Sequence, residues 1–288
     1  MFLSLAALLG GAMLTGCPRY GVVDDGTSIS FGPAHRGTIL NPARVPRRGT
    51  GFWSPPRWHN RGLRYGTDEM IALITHAGRQ MHASDRRAVI GVADLSLKHG
   101  GPSAWHRSHQ TGRDVDLLFF ALDAEKNPLK MTSMVHFRND GTGTLPGETP
   151  EQPAQTIYFD SARNWRLVRT LIENPIAQVQ YIFVSNGLRH LLIEHARAAG
   201  EPEALVLTAS HLMRQPGVSP HDDHFHVRIY CAYTDRALGC VDRGMLRWNK
   251  KDYKYGTEPS GSQLAQNLLP SVAPMPAMMA LVPVMFRP

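Results

Sequence analysis

The chain has 288 residues, 42% of them hydrophobic and 19% charged, and a formal net charge of +7. That suits one globular domain of ordinary core size with tails, or at most two small domains, and three cysteines exclude a disulfide scaffold. The basic balance fits attraction to an anionic polymer, but no Lys/Arg-dense run occurs and aromatics do not alternate with basic residues, which excludes the usual nucleic-acid surfaces.

Residues 2–15 (FLSLAALLGGAMLT) form an uncharged apolar run ending in Leu14-Thr15-Gly16-Cys17. It is shorter than the ~20 apolar residues of a membrane span, so 1–16 is expected to be an export signal. Leu-Thr-Gly-Cys resembles a bacterial lipobox, which implies acylation of Cys17 and a membrane contact through that anchor alone. No Lys or Arg precedes the run. Residues 17–60, rich in Gly, Pro and Arg, are expected to be a linker that becomes an irregular arm near Phe52 and Trp53, with no helix at Pro55-Pro56. The folded domain is expected over 61–255 and a disordered tail over 256–288.

Thr67-Asp68-Glu69 predicts a helix start, and apolar residues from Met70 to Met81 carry that helix to about His82. Arg87–Asp94 reads as a strand. Residues 95–108 form a loop that delivers His106 and His109, and 115–120 (VDLLFF) a second strand. The polar, Gly/Pro-rich stretch 123–155 is expected to be a long surface loop. Asp160 caps a helix to about Glu173, 179–184 is a strand, and helices follow over 186–198 and 203–214. Pro216 and Pro220 bracket a turn into the strand of HDDHFHVRIY. The fold class expected is α+β: a small, mainly antiparallel central sheet carrying the site, flanked by helices and long loops. In an oxidising compartment Cys231 and Cys240, nine apart, can close a small loop.

Two clusters carry chemistry. WHRSHQTGRDVD holds His106, His109, Asp114 and Asp116; HDDHFHVR holds His221, His224 and His226. Side chains alternate along a strand, so His224 shares a face with His226, and Asp114 with Asp116, where it is expected to fix a histidine tautomer. If the two strands are neighbours, Asp116 and His226 meet at one metal and His109 reaches it from the preceding loop. Nitrogen and oxygen ligands with a position left open are what catalytic zinc needs; two His and one Asp would also suit iron(II). His224, two residues from His226, lies close to the metal without having to ligate it, and an imidazole there can act as general base.

SHQTGRDVD followed by HxxHFHVR resembles the penicillin-insensitive murein endopeptidases, zinc peptidases related to D-Ala-D-Ala dipeptidases and carboxypeptidases. RAVIGVAD, YIFVSNGLRHLL and the Cys231/Cys240 pair agree in kind and order, so the resemblance covers roughly residues 60–242. It implies Zn²⁺ on His109, Asp116 and His226, with His106 at a family ligand position, and His224 as general base; some relatives carry a second Asp/His metal pair, and as no matching pair is found over 123–155, one zinc is expected. His221 would stabilise the oxyanion, orient His224, or act only as a supporting hydrogen-bonding residue. The implied reaction is hydrolysis of D-alanyl–meso-diaminopimelyl cross-links of peptidoglycan, in the periplasm. A D,D-carboxypeptidase or dipeptidase with the same site, and a non-catalytic zinc protein that binds the wall, remain alternatives. A serine hydrolase is disfavoured, since no Gly-x-Ser-x-Gly occurs.

Overall fold

The computed structural model describes residues 25–147, 149, 151–217 and 219–245. The apolar leader, Cys17 and the 256–288 tail lie outside the described residues. The chain divides into two units, Met1–Val241 and Asp242–Pro288, and everything below concerns the first.

Among the described residues, eight short strands and two helices precede or enter the first cluster, and β9 follows it: β1 (Ile29–Phe31), β2 (Thr38–Leu40), β3 (Ala43–Arg44), β4 (Arg48–Gly49), β5 (Phe52–Trp53), α1 (Pro56–His59), β6 (Tyr65–Gly66), α2 (Asp68–Ser84), β7 (Ile90–Gly91), β8 (Asp114–Leu118) and β9 (Ala121–Leu122). Then come β10 (Pro128–Leu129), β11 (Thr142–Leu145), β12 (Gln155–Phe159), α3 (Ser161–Glu173), β13 (Val179–Phe183), α4 (Asn186–Ala198), α5 (Glu203–Leu212), β14 (Met213–Arg214), β15 (His224–Ile229) and α6 (Tyr233–Ala237).

The class is α+β. The central sheet runs β14-β13-β15-β8, antiparallel except for the β13/β14 pair. Phe225, Val227 and Ile229 of β15 and Val115 and Leu117 of β8 are buried in the core. Phe119 extends that core, its ring 4.7 Å from Phe225 and 5.1 Å from Phe159.

The helices start where side-chain acceptors meet orphan N–H groups. Thr67 accepts from Met70 N at 3.2 Å, Asp160 from Arg163 N at 3.0 Å and Ser185 from Leu188 N at 3.4 Å. On α2, Met70, Leu73, Ile74, Ala77 and Met81 are buried, one stripe at helical spacing.

Four local expectations are corrected. A single helical turn does begin at Pro56, because proline is tolerated at the first helical position, where its missing N–H has no intrahelical acceptor to meet. The strand expected over 87–94 is paired only at Ile90–Gly91, although its flanks stay buried. The helix expected over 203–214 stops at Leu212, since Met213 and Arg214 pair in parallel with Ile182 and Phe183. The stretch 123–155 is not simply loop: β10, β11 and the start of β12 lie in it, in a second sheet ordered β10-β9-β12-β11. The N-terminal segment likewise packs as short strands, with Ile29, Ile39, Val45 and Phe52 buried. Cys231 and Cys240 form a disulfide.

One ion-pair knot ties α2 to α3. Arg163, nearly buried, donates through Nη2 to Asp85 Oδ2 at 2.6 Å and through Nη1 to Asp160 Oδ2 at 2.9 Å. Hydrogen bonding from Arg163, then from the Arg87 N–H, holds the Asp85 carboxyl below its usual 3.8. Arg163→Met should cost about 2 kcal/mol at pH 7, read by urea denaturation. A lowered carboxyl stabilises the fold only while ionised. The gap between wild type and variant is therefore full above pH ~4 and closes as the pH falls through the lowered value of Asp85. A gap that stays constant down to pH 2 would remove Asp85 from this account.

Candidate metal centre

β15 lies between β13 and β8, and its register with β8 sets His226 opposite Asp116 and Arg228 opposite Asp114. A slip of one residue would turn all four side chains to the other face, so the apolar residues between them, which must face the core, also fix the site. The segment after β7 runs along the other side of β8: Ala93 N donates to Asp116 O and Asp116 N to Asp94 O, each at 2.9 Å. Asp94 thereby arrives beside Asp116.

His109 comes from the loop before β8. That loop is pinned by Gln110 N donating to Ala34 O at 3.1 Å and Gly101 N to Gln110 O at 3.0 Å. His109 has φ 65° and His221 φ 48°, the left-handed region that non-glycine residues rarely adopt. Each costs roughly 1 kcal/mol or more, which the surrounding hydrogen bonds must over-determine. Among the described residues, these two histidines are half of the four non-glycine residues with positive φ, the others being Asn41 and Lys126.

The imidazoles converge on one fully buried carboxylate. Asp116 Oδ1 lies 3.2 Å from His109 Nε2 and 3.4 Å from both His224 Nε2 and His226 Nδ1; Asp116 Oδ2 lies 3.7 Å from His106 Nδ1. Neither oxygen of Asp116 has an aligned hydrogen-bond donor. Meanwhile the outer nitrogen of each ring is tied to an oxygen acceptor. His109 Nδ1 bonds Leu95 O at 2.9 Å, His226 Nε2 bonds Asp114 Oδ1 at 2.8 Å, His106 Nε2 bonds Asp94 Oδ2 at 2.8 Å and His224 Nδ1 bonds Asp223 Oδ1 at 2.6 Å. Carboxylates and carbonyls only accept, so each outer nitrogen carries a proton. In each ring that is neutral the inner nitrogen then keeps the lone pair a ligand needs. Imidazoles fixed this way, around a buried carboxylate that lacks donors, fit a divalent cation with mixed nitrogen and oxygen ligands.

Electrostatics divide the histidines. Burial takes His226 down to about 3 despite Asp114, so it is neutral and can ligate. Burial also opposes charge on His109 and His224, but the Asp116 carboxylate outweighs it. His109 is raised, and His224, aided by Asp223, is pushed up to about 10. Burial and then the charge of His224 lower His221, which donates Nδ1–H to Ser219 O at 3.1 Å. Burial alone would raise Asp116, yet His109 and His224 hold it well below the usual carboxylate range. The same holds for Asp114, against Arg228 and His226.

All the residues expected at the site are therefore in one place: His106, His109 and Asp116 form one group with ligand atoms within 4.8 Å of one another, and His221, His224 and His226 form another. The distances above join the two through Asp116. Of the supports, the sequence pointed to Asp114, which bonds His226, and not to the others. Asp94, fully buried, takes Arg61 Nη1 at 2.7 Å as well as His106. Arg61 in turn lies under Trp58 and Trp105, 4.4 and 5.0 Å from their ring centroids. Arg228 Nε reaches Asp114 Oδ1 at 2.6 Å. The one available signal was an acid ending an apolar strand, at Asp94. A third group, His136 with Asp222 and Asp223, also gathers within 4.8 Å, with His136 Nδ1 bonded to Asp222 Oδ1 at 2.7 Å. It too escaped notice, because its members are 86 positions apart.

A family model described as penicillin-insensitive murein endopeptidase matches residues 30–249. A protein of Haemophilus influenzae named penicillin-insensitive murein endopeptidase is 24% identical over 209 residues, 72% of this chain and 65% of that protein. One of the same name from Klebsiella pneumoniae is 25% identical over 181 residues, 61% of this chain and 64% of that protein. The matched part is thus just under two thirds of the length of either relative.

Proposed function

The chain belongs to the penicillin-insensitive murein endopeptidase family, and we propose that it is a zinc-dependent endopeptidase that hydrolyses D-alanyl–meso-diaminopimelyl cross-links of peptidoglycan. The observation that carries this reading is Asp116, a buried carboxylate without aligned donors that faces the inner nitrogens of four imidazoles. His109, Asp116 and His226 hold the metal in this reading, with His106 as a fourth ligand on the more open side. Zinc in such a site supplies Lewis acidity and a water made acidic enough to attack a peptide carbonyl near pH 7.

The chain's own groups do the rest. Asp114 holds His226 with Nδ1 inward, and Leu95 O holds His109 with Nε2 inward. His224 is the general base: its Nε2 faces the centre and Asp223 anchors the opposite nitrogen. With Asp116 engaged by a cation, the charge that lifts His224 to about 10 is offset. Its imidazole then returns toward the range where it exchanges protons at neutral pH. His221, neutral and with its ring 5.1 Å from that of His224, stabilises charge that develops on the substrate oxygen or orients His224. The Cys231–Cys240 disulfide suits an oxidising compartment, in keeping with action in the periplasm.

The test is an LC–MS digest of purified cross-linked muropeptide dimers by the full chain, with chelator and with zinc added back. Dimers should become monomers, stop doing so in chelator, and resume with zinc. Loss of terminal D-Ala from intact dimers would replace the endopeptidase with a carboxypeptidase. No turnover despite bound zinc would leave a wall-binding protein.

A further inference from the structure

We propose that a basic cleft away from the metal centre is a second binding site for the wall polymer, taking a carboxylate-bearing stretch of peptidoglycan that lies outside the scissile bond. The inference rests on the peptidoglycan reading above for its occupant. It rests on different residues for its existence.

The cleft encloses about 540 Å³, a volume typical of ligand sites. It lies between β4–β5, the end of α2, the approach to β7 and the β10 strand. Arg48, His82, Arg87 and Lys130 line it, and its described lining contains no Asp or Glu. Arg87 shares its charge with Asp85 at 3.6 Å. Lys130 Nζ instead sits 4.0 Å from the Trp53 ring centroid, where the π-face holds the ammonium without neutralising it. Arg48, Arg87 and Lys130 are exposed, and cations gathered along one cleft draw anions to it.

The cleft is also built rather than floppy. Gly51 has φ +72°, and a Cβ there would collide with Gly78 O of α2; a Cβ on Gly78 would stand 2.6 Å from Thr50 O. Ile90 N donates to Gly51 O at 2.8 Å. Only glycine permits so close an approach of the β4–β5 turn to the helix. Thus the wall bearing Arg48 and Trp53 is locked to the wall bearing His82.

Its placement suits a polymer. Val89 lines the cleft, and Asp94, five residues on, supports His106. Five residues span at most about 18 Å, which bounds the separation of the two places along the chain. Holding the wall at the cleft raises the local concentration of cross-links at the metal centre, as linked sites do. A small soluble fragment, too short to reach, gains nothing.

The experiment compares wild type with Arg48→Glu/Lys130→Glu and with a charge-matched control, Arg166→Glu/Arg197→Glu, on α3 and α4. Two readouts are taken: co-sedimentation with isolated peptidoglycan sacculi, and steady-state cleavage of soluble muropeptide dimers. The cleft variant should bind sacculi at least about tenfold more weakly than wild type and than the control, while kcat and KM on soluble dimers stay unchanged. Unchanged sacculus binding, or an equal loss in the control, overturns the proposal. Should charge reversal alter the near-UV circular dichroism, Arg48→Gln/Lys130→Gln carries the same comparison. Failure of the wild type to cleave dimers would sink the endopeptidase reading, whereas sacculus binding still decides the cleft by itself.

Discussion

Asp116→Asn should abolish zinc binding and reduce turnover by roughly a thousandfold or more, the scale of the several kcal/mol that a metal contributes to charge stabilisation in hydrolysis. The substitution keeps the volume and the strand register and removes only the charge on which His109, His224 and His226 converge. Its effect on the metal-free fold should be small. Wild-type Asp116 lacks aligned donors, and without its charge the neighbouring imidazoles shed their protons rather than remain as buried cations. Three readouts separate the cases: zinc per chain, dimer cleavage, and the thermal midpoint with and without zinc. Wild type should gain about 2.7 kcal/mol of stability at a hundredfold excess of zinc over Kd, and the variant nothing. A variant that keeps zinc within a few-fold of wild type would remove Asp116 from the ligand set. A variant that melts early even in chelator would mean that Asp116 is mainly a structural group.

How far the sequence carried the site depends on the range of each interaction. Alternation is local, so Asp114 with Asp116, and His224 with His226, could be placed on shared faces before any pairing was known. The caps at Thr67, Asp160 and Ser185 are equally local, and their helices begin where expected. What alternation does not contain is the partner. That β8 and β15 are adjacent, in the register that opposes Asp116 to His226, is a property of the whole sheet. The apolar pattern EALVLTASHLM continues past Leu212, and only pairing with β13 turns Met213 and Arg214 into a strand. Strands of two residues, such as Ala121–Leu122 and Pro128–Leu129, are too short to show a period at all. The supporting groups were least legible, since Asp94 meets Arg61 and His106 only after β7 and β8 have come together. Candidate ligands, and Asp114 beside them, can thus be named from motif spacing and alternation, while the bonds that aim the rings come from tertiary structure.

Asp114 is the sharpest test of that division. Fully buried, it accepts from His226 Nε2 at 2.8 Å, from Arg228 Nε at 2.6 Å and from His109 N at 3.3 Å. It therefore touches two of the proposed ligand residues, His109 and His226. Asp114→Ala should lose about 3–5 kcal/mol of stability, because the mostly buried Arg228 guanidinium is left without its carboxylate. It should also weaken zinc binding by about 10- to 100-fold, since His226 is no longer held with Nδ1 inward. The two losses have different origins and can be separated. Adding Arg228→Leu removes the stranded cation and should return most of the stability, as replacement of a whole buried pair commonly does. It leaves His226 without its acceptor, so zinc affinity should stay low. Denaturant unfolding of the metal-free protein and competitive zinc titration, run on both variants, read the two quantities independently. Recovery of zinc affinity together with stability would mean that Asp114 acts only by neutralising Arg228, and that the orientation of His226 is set by packing against Phe183, whose ring centroid is 5.2 Å away.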